Sequence, residues 1–289
     1  MSGAAPTPVA GEVMELDPHL RAHLPRENTF DSILRCQGIE HRHVKHRRTV
    51  EAEIGGRRYF VKVHRGCGWG EVLKDWLQLR PPIISARTEQ QALVRARQLG
   101  VRTLTVAGWG ERGRAPAGVE SFLITEALPG MVDLEVLARD WGGLTGPLRH
   151  RLKRALLSEI ARTARALHEG GLNHRDFYLG HFLVQDRHWT DWTPADPLAV
   201  YLIDLHRVQM RAEVPRRWRV KDLGGLLFSA LDAGLTRRDL LRFAALYRGR
   251  PWRESLVSDR VLWRQVGRNA ARLYQRLRGR PAPANLRLG

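Results

Sequence analysis

Short apolar stretches with strand-like alternation mark the first half of the chain. The predicted strands cover residues 39–45, 49–54, 58–64, 104–109 and 121–126. Gly55 and Gly56 separate two of these stretches, and paired glycines at such a position indicate a tight hairpin. A helix is predicted over residues 86–99, where apolar residues recur at helical spacing. This half of the chain is therefore expected to form an antiparallel sheet with one main helix.

The second half has the longer period that is typical of helices. One apolar stripe recurs every three to four residues, at Leu148, Leu152, Leu156, Ile160, Ala164 and Leu167. It stops at Gly170-Gly171, and the polar triplet His174-Arg175-Asp176 follows just before an apolar strand. Further helices are predicted over residues 221–233, 236–247 and 258–277, with an inserted hairpin loop over residues 185–198.

The two halves together predict an α+β fold with two lobes. Residues 26–130 are expected to form a small β-rich N-terminal lobe, and residues 131–278 a larger, mostly helical C-terminal lobe. Residues 1–25 and 279–289 are predicted to be flexible tails, because they are rich in small residues or proline.

Composition indicates a folded protein with an unusual charge. The hydrophobic fraction is 43%, and no apolar run approaches the roughly 20 residues of a membrane-spanning helix. The N-terminus lacks the features of a signal peptide, and two cysteines without metal-type spacing fit a reducing compartment, so a cytoplasmic protein is expected. The formal net charge of +18 favours a polyanionic partner such as nucleic acid, an acidic protein or an anionic membrane, although an arginine-rich genome would also produce it.

Two acids occupy positions that suit phosphoryl transfer. Asp176 lies on a loop between a helix and a strand, where a general base would sit, and Asp204 ends a second apolar strand, where an acid suits a metal ion. Lys62 lies on a mixed aromatic and basic strand face, and Glu89 lies on the buried stripe of the next helix, which makes Lys62 its natural partner. Each residue alone also fits a structural role, such as a solvated lysine, a helix-dipole acid or, for Asp222, a helix cap.

The order of these residues resembles that of protein-kinase-like folds, and the motifs around them resemble lipopolysaccharide core heptose(I) kinases, the WaaP (RfaP) family. The similar segments include residues 60–66, 68–71, 121–126, 132–136, 173–176, 181–183, 203–207, 221–223 and 228–232. The resemblance runs from about residue 28 to about residue 278, nearly the whole folded chain.

The resemblance implies ATP-dependent phosphorylation of a heptose hydroxyl, O-4 of the first heptose in the inner core of lipopolysaccharide, with ATP and Mg²⁺ as cofactors. Lys62 would hold the α- and β-phosphates of ATP, and Glu89 would hold Lys62. Asp176, in a catalytic loop with His174 and Arg175, would orient the sugar hydroxyl and accept its proton.

The same resemblance implies roles for a second set of residues. Asp204 would bind Mg²⁺, and Asp222 would brace the catalytic loop. Cofactor contacts would come from Glu126, Leu128 and Asp133, the first two through the main chain that faces adenine.

The chain departs from the kinase pattern in three places. His181 stands where kinases have an asparagine that binds magnesium, so His181 is a doubtful metal ligand and is expected to contact metal, phosphate or substrate. Leu205-His206 follows Asp204 in place of Phe-Gly, so no mobile activation segment is assumed. No glycine-rich loop joins the first two strands, and either the basic turn at residues 41–48 or the loop at residues 66–70 would cover the phosphates.

The basic excess then acquires a use. Arg207, Arg211, Arg217 and Lys221 are expected to bind the acidic lipid A-core acceptor, because arginine suits carboxylates and phosphates. The resemblance implies an anionic membrane surface and acyl carrier protein as further candidate partners, and a location on the inner face of the inner membrane. Nucleic acid is not expected.

Two other functions fit part of the pattern. A kinase that acts on protein or on another small molecule would share the catalytic residues. A non-catalytic polyanion binder would share the fold and the charge, but it would not require Lys62, Glu89, Asp176 and Asp204 together.

Overall fold

The computed structural model describes residues 11–44, 47–66, 86–113 and 118–283, without the side chains of residues 42–44. The chain divides into two compact units. The first contains the described residues up to Val94 together with Leu104–Leu128, and the second contains Arg95–Thr103 together with the chain from Pro129 onward. The predicted α+β class, with an antiparallel sheet and a helical region, is confirmed.

The described residues of the first unit form a six-stranded antiparallel sheet in the order β1-β5-β6-β4-β3-β2. The strands are β1 (Glu12–Leu16), β2 (Ile39–Val44), β3 (Arg47–Ile54), β4 (Arg57–His64), β5 (Val106–Arg112) and β6 (Glu120–Glu126). Gly55 and Gly56 connect β3 to β4 with φ angles of 57° and 75°, which a residue with a side chain rarely adopts. The hairpin predicted at these glycines is therefore confirmed.

The predicted N-terminal tail is wrong over its described residues. Residues 12–16 form β1, which pairs with β5, and residues 18–23 form helix α1 (Pro18–His23). The carboxylate of Asp17 caps α1 by accepting the N–H of Leu20 at 2.7 Å, and the side chain of Leu20 is fully buried. An acid followed by proline is a helix-start signal. The strand is harder to predict, because it is short, carries two acids and gains its order from β5.

The sheet presents one buried face and one polar face. Along β4, Tyr59, Val61 and Val63 are buried in the core of the first unit, while Phe60 and Lys62 lie on the opposite, partly exposed face. Helix α2 (Thr29–Leu34) adds Phe30, Ile33 and Leu34 to this core. The alternation predicted for this strand is therefore observed.

Helix α3 (Arg87–Gln98) begins in the first unit, and the residues that follow it belong to the second. In the second unit, the N–H of Leu202 donates to the carbonyl of Arg102 at 2.9 Å, and the hydroxyl of Thr103 donates to the carbonyl of Leu202 at 2.6 Å. The sequence predicted one boundary near residue 130 and did not indicate that residues 95–103 belong to the second unit. These bonds join residues about a hundred positions apart, which local patterns do not reveal.

The second unit is mostly helical. Its later helices are α4 (Leu134–Asp140), α5 (Gly146–Glu169), α6 (Arg216–Ala230), α7 (Arg237–Arg248), α8 (Trp252–Ser258) and α9 (Arg260–Arg278). Its short strands are β7 (Met131–Asp133), β8 (Leu172–Asn173), β9 (Phe182–Gln185), β10 (Tyr201–Leu202) and β11 (Gln209–Met210). The predicted stripe of α5 faces the core, since its six apolar members are all buried.

Three details of this unit differ from prediction or refine it. Helix α6 begins at Arg216 instead of residue 221, because Pro215 permits a helix start that the following arginines obscure in the apolar pattern. The helix predicted over residues 258–277 is observed at Arg260–Arg278. Asp259, whose carboxylate contacts Arg248 and Arg250, separates it from α8, which was not predicted. The loop over residues 185–198 does join two antiparallel strands, β9 and β10.

The predicted C-terminal tail and the predicted glycine-rich loop lie partly or wholly outside the residues that the structure describes. Of the predicted C-terminal tail, Gly279 caps α9 and Arg280 lies 3.1 Å from a carboxylate oxygen of Asp232, whereas residues 281–283 have no regular structure. Residues 284–289 lie outside the described residues. The glycine-rich segment from Cys67 to Gly70 lies outside them too. No helix in the described part of the chain combines the length and apolar character needed to cross a bilayer.

Candidate active site

The loop that carries Asp176 is anchored by backbone pairing on its N-terminal side. After α5 ends, Gly171 adopts a φ of 83°, and a Cβ atom there would lie 1.9 Å from the carbonyl oxygen of Arg211. Strand β8 then pairs with β11, with Asn173 opposite Gln209. Glycine is required at position 171, because only glycine permits both this φ and this approach.

The carboxylate of Asp222 fixes the main chain of the loop that carries Asp176. Its two carboxylate oxygens accept the N–H of His174 at 2.7 Å and the N–H of Arg175 at 2.8 Å. The side chain is buried in the second turn of α6, so the alternative interpretation as a helix cap is wrong. Bonds from main-chain N–H groups to a buried carboxylate are among the stronger hydrogen bonds in proteins. They hold Arg175 at a φ of 74°, which is rare for a residue with a side chain.

Asp222 is itself held by a buried chain of polar groups. Nε2 of His168 lies 3.2 Å from one Asp222 oxygen, and Nδ1 of His168 lies 2.9 Å from the hydroxyl of Tyr247. Burial raises the pKa of Tyr247 to about 12, so the hydroxyl that contacts the imidazole stays protonated. His168 and Tyr247 were not predicted from the sequence, and their only signal is that both are polar residues at buried helical positions.

A second attachment joins α6 to the C-terminal side of the loop. The hydroxyl of Ser229 accepts the N–H of Leu179 at 2.8 Å and donates to the carbonyl of Leu226 at 3.0 Å. A Cβ atom on Gly225 would lie 3.2 Å from the carbonyl oxygen of Phe177, which is closer than most packed atoms lie. Helix α6 therefore supports the loop at both ends.

The carboxylate of Asp176 is held by an arginine. Nη1 of Arg207 lies 2.8 Å from Oδ1 and 2.9 Å from Oδ2 of Asp176. Arg207 was predicted to bind substrate, but in this structure its guanidinium contacts the proposed base. Both side chains remain partly exposed, so an incoming hydroxyl has access to the carboxylate.

His174 has a positioning role. Its ring is buried, and Nε2 donates to the carbonyl of Ile203 at 3.1 Å. Burial lowers the pKa of this imidazole, so the ring is neutral and carries its proton on Nε2. The bond connects the loop of Asp176 to the residue that precedes Asp204.

Asp204 and His181 form the second acidic position. Asp204 has a left-handed φ of 64°, and its Oδ1 lies 2.5 Å from Nδ1 of His206. His181 lies between the two acids, because its Nδ1 donates to the main-chain carbonyl of Asp176 at 2.6 Å while its Nε2 lies 3.7 Å from Oδ2 of Asp204.

The side chains around Asp204 can be compared with the ligands that Mg²⁺ requires. Within the described residues, no three His, Cys, Asp or Glu side chains converge as they would in a metal site made by protein alone. Nucleotide-bound Mg²⁺ usually takes one or two carboxylates and completes its shell with phosphates and water. The carboxylate of Asp204 fits that requirement, whereas the imidazole of His181 is a poor ligand for so hard a cation.

The first unit joins the predicted lysine and glutamate. Nζ of Lys62 on β4 lies 2.5 Å from Oε1 of Glu89 on α3. Glu89 is almost completely buried, while Lys62 keeps about a fifth of its side chain exposed. A buried carboxylate needs such a partner, and the exposed part of the ammonium leaves it able to meet a phosphate.

The remaining predicted site residues have mixed outcomes. Glu126 ends β6, and Leu128 is the last residue of the first unit. The contacts of these two residues with adenine stay predictions. Asp133 caps α4, because its Oδ1 accepts the N–H of Val136 at 2.9 Å, and the structure gives it this structural role. Arg217 and Lys221 are exposed on the first turns of α6.

Comparison with known proteins places the chain. The sequence model of the lipopolysaccharide kinase (Kdo/WaaP) family matches residues 31–247, three quarters of the chain. The chain belongs to this family.

Individual relatives agree with this placement. The chain is 47% identical to the lipopolysaccharide core heptose(I) kinase WaaP of Pseudomonas aeruginosa, over 86% of this chain and 90% of that protein. It is 39% identical to the WaaP of Escherichia coli K12, over 86% of this chain and 92% of that protein. A solved structure of WaaP in complex with acyl carrier protein superposes with a TM-score of 0.73 at 42% identity, covering 91% of this chain and 99% of that one.

Membership in the lipopolysaccharide kinase family gives the class of reaction. The chain is an ATP-dependent phosphotransferase, and the matched region contains every candidate site residue from Lys62 to Lys221. The resemblance identified from the sequence motifs is confirmed.

Proposed function

We propose that this chain transfers the γ-phosphoryl group of ATP to a hydroxyl of a heptose in the inner core of lipopolysaccharide, O-4 of the first heptose. The named activity of the two relatives at 47% and 39% identity supports this acceptor. The observation that carries the proposal is the loop held by Asp222, which presents the carboxylate of Asp176 on a fixed main chain. His181 lies between this main chain and the carboxylate of Asp204.

Asp176 would act as the base. As the heptose oxygen forms its bond to the γ-phosphorus, the hydroxyl proton passes to the carboxylate, and the bond to the β-phosphate oxygen breaks so that ADP leaves with the electron pair. The transition state of phosphoryl transfer is loose, so catalysis relies on positioning and on charge. Arg207 serves the positioning, because its Nη1 holds both carboxylate oxygens in one orientation.

Lys62, Glu89 and Asp204 would hold the nucleotide. The ammonium of Lys62, oriented by Glu89, supplies a compact positive charge for the phosphates. Asp204 would hold Mg²⁺, which neutralises the charge of the β- and γ-phosphate oxygens when it is bound. His181 would orient Asp204 and contact phosphate, since its Nδ1 is committed to the carbonyl of Asp176.

Acyl carrier protein is a proposed partner. The solved relative that this chain matches contains it, and a strongly acidic protein suits a chain with net charge +18. The second unit also contains a partly open pocket with mostly apolar walls, whose chemistry suits an acyl chain. The walls include Leu137, Leu156, Leu226, Phe243, Trp263 and Val266. Calorimetric titration with acylated and unacylated carrier protein tests this, and equal affinity for the two would exclude the cavity as the acyl site.

A location on the inner face of the inner membrane is also proposed. Trp252, Val257 and Val261 are exposed on α8 and at the start of α9, and Val257 is 81% exposed. Arg253 and Arg260 lie next to them in the chain and are exposed as well. Exposed apolar side chains with cationic neighbours suit an anionic lipid surface. Sedimentation with anionic vesicles is the test, and binding that is equal on neutral vesicles would contradict it.

The function itself is tested by transfer of ³²P from ATP to core lipopolysaccharide that lacks the heptose phosphate. We expect label on the lipid with the natural chain and none with Asp176→Asn. Label on protein or on a soluble sugar alone would show that the chain is a kinase with a different acceptor. Label on no acceptor, with no affinity for ATP, would favour a non-catalytic binder.

A further inference from the structure

Four cationic side chains surround one indole beside the catalytic loop. Nζ of Lys221 lies 4.4 Å from the centre of the Trp218 ring system. The guanidinium carbons of Arg211 and Arg217 lie at 5.5 Å, and that of Arg175 lies at 5.6 Å. These four cations and the indole are called the Trp218 cluster below.

The cluster brings together three separate segments of the second unit. Arg175 lies on the catalytic loop directly before Asp176, Arg211 follows β11, and the other members lie on the first turns of α6. Burial lowers the pKa of Arg175, the nearby charge of Arg207 lowers it further, and the carboxylates of Asp176 and Asp222 act in the opposite direction. The cluster is therefore adjacent to the carboxylate of the base.

The four cations of the cluster outnumber the acids near them, which are Asp176 and Asp222 beside Arg175. Within the described part of the chain, none of the four cations forms an ion pair with a carboxylate. Asp176 pairs with Arg207, and Asp222 is committed to the loop main chain and His168. Like charges held this close repel one another, and Arg175 is partly removed from water as well. Such an arrangement is stabilised when an anion occupies it.

The cluster is also held in place in the absence of a ligand. Nη1 of Arg211 donates to the side-chain oxygen of Asn173, and its Nη2 donates to that of Gln209 at 2.8 Å. Both acceptors are neutral, so the arginine is fixed and keeps its charge available. The main chain of Arg175 is fixed by Asp222. Guanidinium groups fixed in this way suit the planar and tetrahedral oxygen groups of carboxylates and phosphates.

We propose that the Trp218 cluster is a subsite for an anionic group of the acceptor, and that it places the heptose hydroxyl on Asp176. The inference rests on the proposed heptose kinase function. The nucleotide phosphates have their own candidate cation, Lys62, and their own candidate metal ligand, Asp204, so the cluster is assigned to the acceptor. Inner-core lipopolysaccharide offers two sources of the required oxygens, the carboxylate of an acidic sugar and the phosphates of lipid A.

The test compares three acceptors under steady-state conditions: intact core lipopolysaccharide, the same material with carboxylates reduced to alcohols, and dephosphorylated material. The variant is Arg217→Gln with Lys221→Gln, because both side chains are exposed and their replacement preserves the fold. The control is Arg237→Gln with Arg238→Gln, which removes the same charge from the exposed start of α7.

We expect the variant to raise the KM for intact acceptor about tenfold or more, the effect of losing a charged hydrogen bond, with the kcat and the KM for ATP little changed. If a carboxylate is the ligand, the reduced acceptor has this higher KM with the natural chain, and the variant raises it no further. If a phosphate is the ligand, the dephosphorylated acceptor behaves in that way instead.

Two outcomes would overturn the subsite while leaving the heptose kinase intact. One is an unchanged KM for every acceptor in the variant, and the other is an equal rise in the control, which would reflect overall charge. Failure of the natural chain to label any of the three acceptors would instead remove the proposed function, and the subsite with it.

Discussion

Both carboxylate oxygens of Asp176 accept hydrogen bonds from one guanidinium nitrogen of Arg207, at 2.8 and 2.9 Å. Arg207 ends the short turn that begins directly after Asp204. The arginine therefore connects the base to the segment that carries the proposed metal ligand. A change in the conformation of that turn is therefore expected to move the carboxylate of Asp176 through the side chain of Arg207.

Replacing Asp176 with asparagine should remove the base and spare the nucleotide site. We expect kcat to fall by about 10²–10⁴-fold, the usual contribution of a general base, with the affinity for ATP retained. Transfer kinetics and calorimetric titration with ATP measure the two quantities. Asp186→Asn, at an exposed position, is the matched control and should keep full activity.

Replacing Arg207 with glutamine separates the structural assignment from the sequence-based one. If Arg207 positions the base, kcat should fall about tenfold, because misplacement of a reacting group by a fraction of an ångström is costly. The KM for the acceptor should change little. A raised KM with unchanged kcat would instead return Arg207 to the substrate-binding group that the sequence suggested.

Lys62→Met should weaken ATP binding by about tenfold or more, because a charge-assisted contact to phosphate is lost. It should also lower the free energy of unfolding, since Glu89 would remain buried without its cation. Glu89→Gln should weaken ATP binding less. Arg58→Gln on the same strand removes an exposed charge and should change neither quantity. Normal ATP affinity in Lys62→Met would contradict the assignment.

Asp222→Asn tests the support of the catalytic loop. The amide would face two main-chain N–H donors with only one acceptor oxygen, so one buried donor would lose its partner. We expect a loss of about 1–3 kcal/mol in the free energy of unfolding, together with a lower kcat. Thermal unfolding and transfer kinetics measure the two effects. A fall in stability with no change in kcat would show that the loop keeps its geometry without Asp222.

Asp239 should make the stability of the second unit depend on acid. Burial raises the pKa of this carboxyl, but the ammonium of Lys153 at 2.7 Å and bonds from Thr236 outweigh it, and the net pKa is lowered. The ionised form is therefore favoured in the folded chain, and its stabilisation is present above about pH 4, the unfolded pKa of aspartate. It is lost as the pH falls below that value.

Asp239→Asn should lower the free energy of unfolding by about 3–5 kcal/mol near neutral pH, because the buried Lys153 would lose its anionic partner and keep only the carbonyl of Gly234. The difference between the variant and the natural chain should shrink as the pH falls from about 5 toward 3. A constant difference across that range would show that Asp239 stabilises through its hydrogen bonds alone. Denaturant unfolding at several pH values distinguishes the two results.

The sequence predicted well those features that depend on local pattern. The hairpin at Gly55-Gly56 follows from turn chemistry, and the stripe of α5 follows from the side-chain period of one helix. The pairing of Lys62 with Glu89 was predicted on another ground, the need of a buried carboxylate for a cation. The start of helix α6 was predicted less well, because arginines fill its first turns and the apolar pattern begins only after them. Asp222 was consequently taken as residing at a helix start.

Contacts between distant segments could not be predicted from pattern alone. The bonds from Asp222 to the loop join residues almost fifty positions apart, and His168 reaches the network from a third helix. Arg207, which contacts Asp176, follows a left-handed residue, Asp204, and no composition rule indicates either feature. Family resemblance supplied the role of Asp222, but not the partners that hold it.

Strand β1 is the outermost strand on one side of the sheet, and it occupies the hydrogen-bonding edge of β5. An uncovered strand edge is a template for pairing with another chain. Shortened versions of the protein that begin after Asp17 would therefore expose β5 and associate edge to edge. Insolubility of such a version would report a lost protective strand, and it would carry no information about the phosphotransfer chemistry.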